Sequence, residues 1–61
     1  MKCVFIRYDG LRLCEKRMDL PPVRGDYVTD LPDQGTQEWY VERRRHRVEL
    51  EVIELWVSLT T

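Results

Sequence analysis

The sequence predicts a small all-β domain, and its composition gives the first two reasons. The 61 residues include no alanine and no asparagine, while valine, isoleucine and threonine together contribute thirteen. β-Branched and aromatic side chains fit a pleated sheet better than a helix. Charged residues make up 34% and hydrophobic residues 43%, a balance typical of one folded domain spanning residues 1–61.

The first two strands are predicted on either side of Asp9-Gly10, because this dipeptide between alternating segments favours a hairpin turn. A two-residue loop would place Arg7 opposite Arg12, and this like-charge pair favours a longer loop. The same register assigns five apolar side chains to the core face: Val4, Ile6, Tyr8, Leu11 and Leu13.

The two cysteines are predicted to be free thiols. In the predicted register Cys3 and Cys14 are diagonal neighbours, at about 7–8 Å, which exceeds the reach of a disulfide.

Two cysteines and one histidine also fall short of the four ligands of a structural zinc site. The glycines are isolated and form no phosphate-binding loop. The sequence therefore predicts neither a metal site nor a cofactor.

The middle of the chain is predicted to be mostly loop around a short third strand. Pro21-Pro22 end the second strand because proline lacks the backbone N–H that a sheet needs. Gly25-Asp26 is typical of a tight turn, and a short strand from Tyr27 to Asp30 or Leu31 follows it.

The C-terminal third supplies the last two predicted strands, Trp39–Arg44 and Arg47–Leu59, around a basic turn. Apolar residues alternate within 47–52 and again within 53–59, and the change of phase at Val52-Ile53 predicts a β-bulge or a passage between sheets. In this interpretation Ile53, Leu55, Val57 and Leu59 face the core. The alternative is an α+β fold with a helix over residues 38–58, since some apolar residues also recur at helical spacing.

Five strands and one long loop predict a small twisted sheet or a partly open barrel. In strand count and spacing the arrangement resembles an SH3-like barrel. No apolar run reaches the roughly 18–20 residues that a membrane span needs, and the N-terminus lacks the apolar stretch of a signal peptide. The chain is therefore expected to be cytoplasmic, without a membrane partner.

Catalytic groups are scarce, and we expect the protein not to be an enzyme. The single histidine, His46, lies among arginines that disfavour its charged form. A general acid or base instead needs an orienting partner and a pocket.

Charge is unevenly distributed along the chain, although the net charge is only −1. Residues 43–47 carry four arginines, with five acidic residues in 26–42 before them and three glutamates in 48–61 after them. We expect this cluster to be a solvated hairpin end whose arginines pair with nearby glutamates, for example Arg44 with Glu49.

Two binding hypotheses follow. The leading one is binding to another protein, or to a second copy as a homodimer, through edge strands and an exposed Trp56. The alternative is a nucleic-acid-binding barrel that uses the arginine cluster, although the sequence pI of 5.7 is low for this function. The candidate binding residues are Trp39, Tyr40, Arg43, Arg44, Arg45, Arg47 and Trp56.

Overall fold

The computed structural model describes residues 1–60, and these residues form an all-β half-barrel without helices. The five strands within this part of the chain are β1 (Lys2–Arg7), β2 (Arg12–Arg17), β3 (Tyr27–Thr29), β4 (Glu38–Arg47) and β5 (Val52–Leu59). The predicted all-β fold with five strands is confirmed. The alternative helix over residues 38–58 is excluded, because β4 and β5 occupy that segment.

The strands form one mixed sheet in the order β2-β1-β5-β4-β3. β1 and β5 pair in parallel, and the remaining neighbours pair antiparallel. β5 is therefore the central strand, and it lies between β1 and β4. Its inward side chains are buried at three alternate positions, Ile53, Leu55 and Val57, as the sequence predicted.

The hairpin between β1 and β2 turns at Asp9-Gly10, through a loop longer than two residues. The N–H of Gly10 donates to the carbonyl of Arg7 at 2.8 Å, and the N–H of Arg7 donates to the carbonyl of Leu11 at 2.7 Å. Gly10 has a φ of 99°, a conformation that glycine adopts without steric cost. Arg7 and Arg12 do not face each other in this longer loop, because Arg12 lies opposite Ile6 and Arg7 binds Asp9.

The core face predicted for this hairpin is wrong. Cys3 and Phe5 are 0% and 1% exposed, whereas Tyr8 and Leu11 are 69% and 52% exposed. The parallel register explains the reversal, because it pairs Cys3 with Ile53 and Phe5 with Leu55, the buried positions of β5. Val4 and Ile6 therefore lie half-buried on the opposite face of the sheet.

Leu13 nevertheless packs against the core, because β2 contains a bulge. Phe5 pairs with Cys14 and the next residue, Ile6, pairs with Arg12, so Leu13 is the extra residue. Cys14 also packs against the core, and Cys3, which pairs with Lys16, is its diagonal neighbour. Both cysteines are free thiols, and burial raises the pKa of each.

The predicted boundaries of the C-terminal hairpin are corrected in three respects. Residues 43–47 belong to β4, and the turn is formed by the next four residues, 48–51. The irregular residue lies in β4, where Val41 pairs with Val57 and Arg43 pairs with Trp56, and not at Val52-Ile53. Leu59 is 42% exposed, because the alternation of buried residues ends at Val57.

The long connection between β2 and β4 covers the concave face of the sheet. Pro22 and Leu31 are buried, and Met18 and Val28 pack against the core that β1, β4 and β5 form. The turn at Gly25-Asp26 leads into β3 as predicted, with the N–H of Asp26 donating to the carbonyl of Val23 at 3.0 Å.

Replacing Leu55 by alanine should remove much of the stability of the fold. Leu55 is 0% exposed on the central strand, and such a change costs about 2–5 kcal/mol. A domain of this size has a total unfolding free energy of about 3–9 kcal/mol. Urea unfolding followed by tryptophan fluorescence measures the loss. Leu59→Ala on the same strand is the control, with a loss of less than about 1 kcal/mol; equal losses would contradict the assignment of the core.

The carboxylate of Asp9 should titrate at unusually low pH. Hydrogen bonds from the Arg7 guanidinium and from the N–H of Leu11 lower the pKa of Asp9 from 3.8 to about 2. The contribution of Asp9 to stability is therefore complete above pH 3.8 and is lost as the pH falls through about 2. Carboxyl chemical shifts in NMR check the midpoint, and Arg7→Gln should raise it. An unchanged midpoint in that variant would exclude the ion pair as the cause.

A cationic face with Trp56 at its centre

The side of the sheet that faces away from the core carries a concentrated set of charged and aromatic side chains. Residues paired across neighbouring strands share a face, so the register assigns each side chain to one side. We call this side the outer face. Its charged members are Lys2, Arg12, Glu15, Arg17, Glu38, Arg43, Arg45, Arg47 and Glu54, and its aromatic members are Tyr27, Tyr40 and Trp56.

Trp56 lies near the middle of the outer face, under two arginine side chains of the neighbouring strand. The guanidinium carbon of Arg43 is 4.6 Å from the ring centroid, and that of Arg45 is 5.3 Å from it. Both distances are within the range of cation–π attraction. Trp56 itself is half-buried.

The bulge in β4 decides which arginines reach this face. Glu42 is the extra residue between the pairs Val41–Val57 and Arg43–Trp56. In a regular strand without the bulge, Glu42 would pair with Trp56, and the alternation of β4 would place Glu42, Arg44 and His46 on the outer face. With it, Arg43, Arg45 and Arg47 lie on the outer face. Arg44 and His46 are exposed on the inner face, opposite Leu55 and Ile53.

Two glutamates of the outer face are each shared by two cations. Glu54 accepts a hydrogen bond from Arg45 at 2.7 Å and lies 3.7 Å from Arg47. The hydrogen bond from Arg45 is the main cause that lowers the pKa of Glu54. Glu15 is 3.2 Å from the ammonium group of Lys2 and also pairs with Arg12. The expected pairing of arginines with glutamates therefore occurs, but Arg44 does not lie opposite Glu49.

The outer face is strongly cationic although the protein is not. Among the described residues, this face carries six of the ten lysines and arginines and three of the eleven acidic residues, a net charge of +3. The other side chains carry four positive and eight negative charges, a net of −4. The low pI is therefore compatible with a positively charged outer face, because the rest of the molecule is negatively charged.

A pair of tyrosines extends the outer face toward β3. Tyr27 pairs with Tyr40 across the strands, and the ring centroids are 5.4 Å apart at an interplanar angle of 60°. Tyr27 is 62% exposed and Tyr40 is half-buried. An aromatic surface is therefore accessible on the same face as Arg43, Arg45 and Arg47, which we call the arginine row.

The structure separates the predicted binding residues into two groups. Tyr40, Arg43, Arg45, Arg47 and Trp56 lie together on the outer face. Trp39 is 2% exposed within the core, and among residues 1–60 its indole N–H is the one buried side-chain polar atom without a hydrogen-bond partner. Arg44 is exposed on the opposite face from the cluster.

Sequence reasoning missed four cationic or aromatic residues of the outer face: Lys2, Arg12, Arg17 and Tyr27. Their position follows from the registers of β1 with β5 and of β3 with β4, which join segments far apart in the chain. The alternation of charged residues in β2 was the available signal, but the incorrect core face of the hairpin concealed it.

A small cleft lies between the two edges of the sheet, β2 and β3. It has a volume of about 240 Å³ and is lined mainly by apolar residues, including Phe5, Met18, Val28 and Leu31. Small-molecule sites usually exceed about 300 Å³.

Among residues 1–60 there is no cluster of histidine, cysteine and acidic residues suited to a metal ion, and no helix there could cross a membrane.

Searches of protein-family models, curated proteins and solved structures find no match to the chain. Function is therefore inferred from the side chains of the outer face.

Replacing both Arg43 and Arg45 by glutamine should expose Trp56 with little loss of stability. Exposed ion pairs contribute about 0–1 kcal/mol each, so the urea midpoint should change little. Quenching of tryptophan fluorescence by acrylamide should increase, because the guanidinium groups no longer cover the ring. Arg44→Gln is the matched control from the inner face; a similar increase in that variant would contradict the assignment of faces.

Proposed function

We propose that the protein is a small non-enzymatic binding module that binds a negatively charged macromolecule through its outer face. The observation that carries the proposal is the net charge of +3 on the outer face around Trp56, on a protein whose overall charge is −1. Electrostatic potentials of this kind attract and orient a partner of opposite charge.

The composition of the outer face supports macromolecular binding. Tryptophan, tyrosine and arginine contribute most often to the binding energy of protein interfaces, and all three types occur here. Beside Trp56, the half-buried Val4 and Ile6 add apolar area. A protein partner that fits this surface would present acidic side chains around an apolar contact.

Self-association is the weaker form of the protein-binding hypothesis. Two outer faces would repel each other because each carries a net charge of +3. The free edges of the sheet also resist pairing: β3 has three residues, and β2 combines a bulge with Arg12, Lys16 and Arg17. Short strands, bulges and cationic side chains are the usual means by which proteins prevent edge pairing.

The absence of catalysis remains part of the proposal. His46 is exposed near the end of β4, between Arg45 and Arg47, rather than in a pocket. The two thiols have raised pKa values because of burial, which makes both poor nucleophiles at neutral pH.

A polyanion titration tests this function. We expect labelled poly-L-glutamate to bind at low salt and to be released as salt increases, because the contact is electrostatic. Arg43→Gln should weaken binding, while Arg44→Gln, which removes the same charge from the inner face, should have a smaller effect. Fluorescence anisotropy measures both, and sedimentation should show a monomer. Equal losses in the two variants, or no binding at low salt, would overturn the proposal.

A further inference from the structure

We infer that the negatively charged partner is a single-stranded nucleic acid. The inference rests on the proposed function and names the partner of the same face. Bases would stack at the Tyr27–Tyr40 pair, and phosphates would contact the arginine row formed by Arg43, Arg45 and Arg47. Three independent features of the outer face favour this partner over an acidic protein.

The first feature is the position of the exposed aromatic ring. Tyr27 is 62% exposed on the same face as the arginine row, and Tyr40 lies beside it at 5.4 Å between ring centroids. Every base has a flat π surface that stacks on such a ring, whereas acidic side chains have none. Tyrosines and arginines on one sheet face are thus the chemistry of a single-strand platform.

The second feature is the type and spacing of the cations. Five of the six cations on the outer face are arginines, and Lys2 is the exception. The planar guanidinium binds phosphate through two parallel hydrogen bonds and also stacks on bases. Alternate residues of β4 lie about 6.6–6.8 Å apart, so the arginine row offers a line of contacts to an extended backbone.

The third feature is the availability of Arg43. Glu54 engages Arg45 and Arg47, whereas Arg43 has no ion-pair partner among residues 1–60 and contacts the Trp56 ring. Arg43 is therefore free to bind a phosphate first, and Glu54 competes with the phosphates for the other two arginines. Removing the charge of Glu54 should then strengthen binding.

A single strand fits this surface better than a duplex. Reading a duplex through its major groove takes an inserted helix or a two-stranded ribbon. Residues 1–60 contain no helix, and β1 covers β5 along Val52–Val57, so the β4–β5 hairpin is not an isolated ribbon. Stacking on Tyr27 also requires unpaired bases. The net charge of −4 on the remaining side chains would repel a polyanion that approached elsewhere.

The test is a fluorescence-anisotropy titration of the whole protein with a labelled oligothymidine, a duplex of the same length and poly-L-glutamate. We expect the oligothymidine to bind most tightly. Three phosphate contacts predict a slope of about −2 for log affinity against log salt, and Arg43→Gln should make it shallower by about 0.7. Glu54→Gln should tighten binding, and Arg44→Gln should leave the slope unchanged.

Tyrosine variants test the stacking contact directly. Tyr27→Leu should weaken oligothymidine binding about tenfold, the effect of losing one stacked base, and should leave poly-L-glutamate binding unchanged. Tyr27→Phe should retain binding because it keeps the ring. Circular dichroism establishes that each variant is folded.

The outcomes separate this inference from the proposed function. Equal binding of oligothymidine and poly-L-glutamate, with no effect of Tyr27→Leu, would overturn the nucleic-acid inference and leave an acidic protein as the partner. Tighter binding of the duplex would also overturn it. If neither polyanion binds at low salt, the proposed function fails as well.

Discussion

The parallel pairing of β1 with β5 is the constraint on which the rest of the structure depends. It joins the two ends of the chain at the centre of the sheet and places Cys3 and Phe5 beside Ile53 and Leu55. A core this small has few apolar side chains to bury, so the register that unites the buried positions of both strands is strongly favoured. The orientation of β1 then determines the faces of β2, because the two strands form a hairpin.

Two bulges, one in β2 and one in β4, determine which side chains of these strands lie on the core face and which lie on the outer face. The extra residue in β2 allows Leu13 to pack on the core while Arg12 remains on the outer face. Glu42 in β4 has the same geometric effect and selects Arg43, Arg45 and Arg47 for the outer face. A single added residue reverses the side that every later residue occupies. The concentration of cations around Trp56 is thus a consequence of strand irregularity as much as of composition.

The separation of charge also explains how a protein with a pI of 5.7 has a surface suited to anions. Net charge describes the molecule from a distance, whereas a bound partner experiences the potential of the face it contacts. On the outer face, Glu15 and Glu54 each lie between two cations. These contacts hold the long side chains in place and reduce the repulsion among them. The face is therefore stable without a partner and still cationic.

The sequence by itself determined the fold class, the turn at Asp9-Gly10, the five strands and the buried positions of β5, because composition, turn chemistry and alternation are local properties. It also indicated most of the arginine–tryptophan cluster. Only the tertiary structure decided which face of β1 is buried, where β4 ends and that Arg44 and Trp39 lie apart from the cluster. Those features depend on registers between distant segments and on single-residue bulges. The alternation of side chains along a strand is compatible with either face being buried, so it does not determine them.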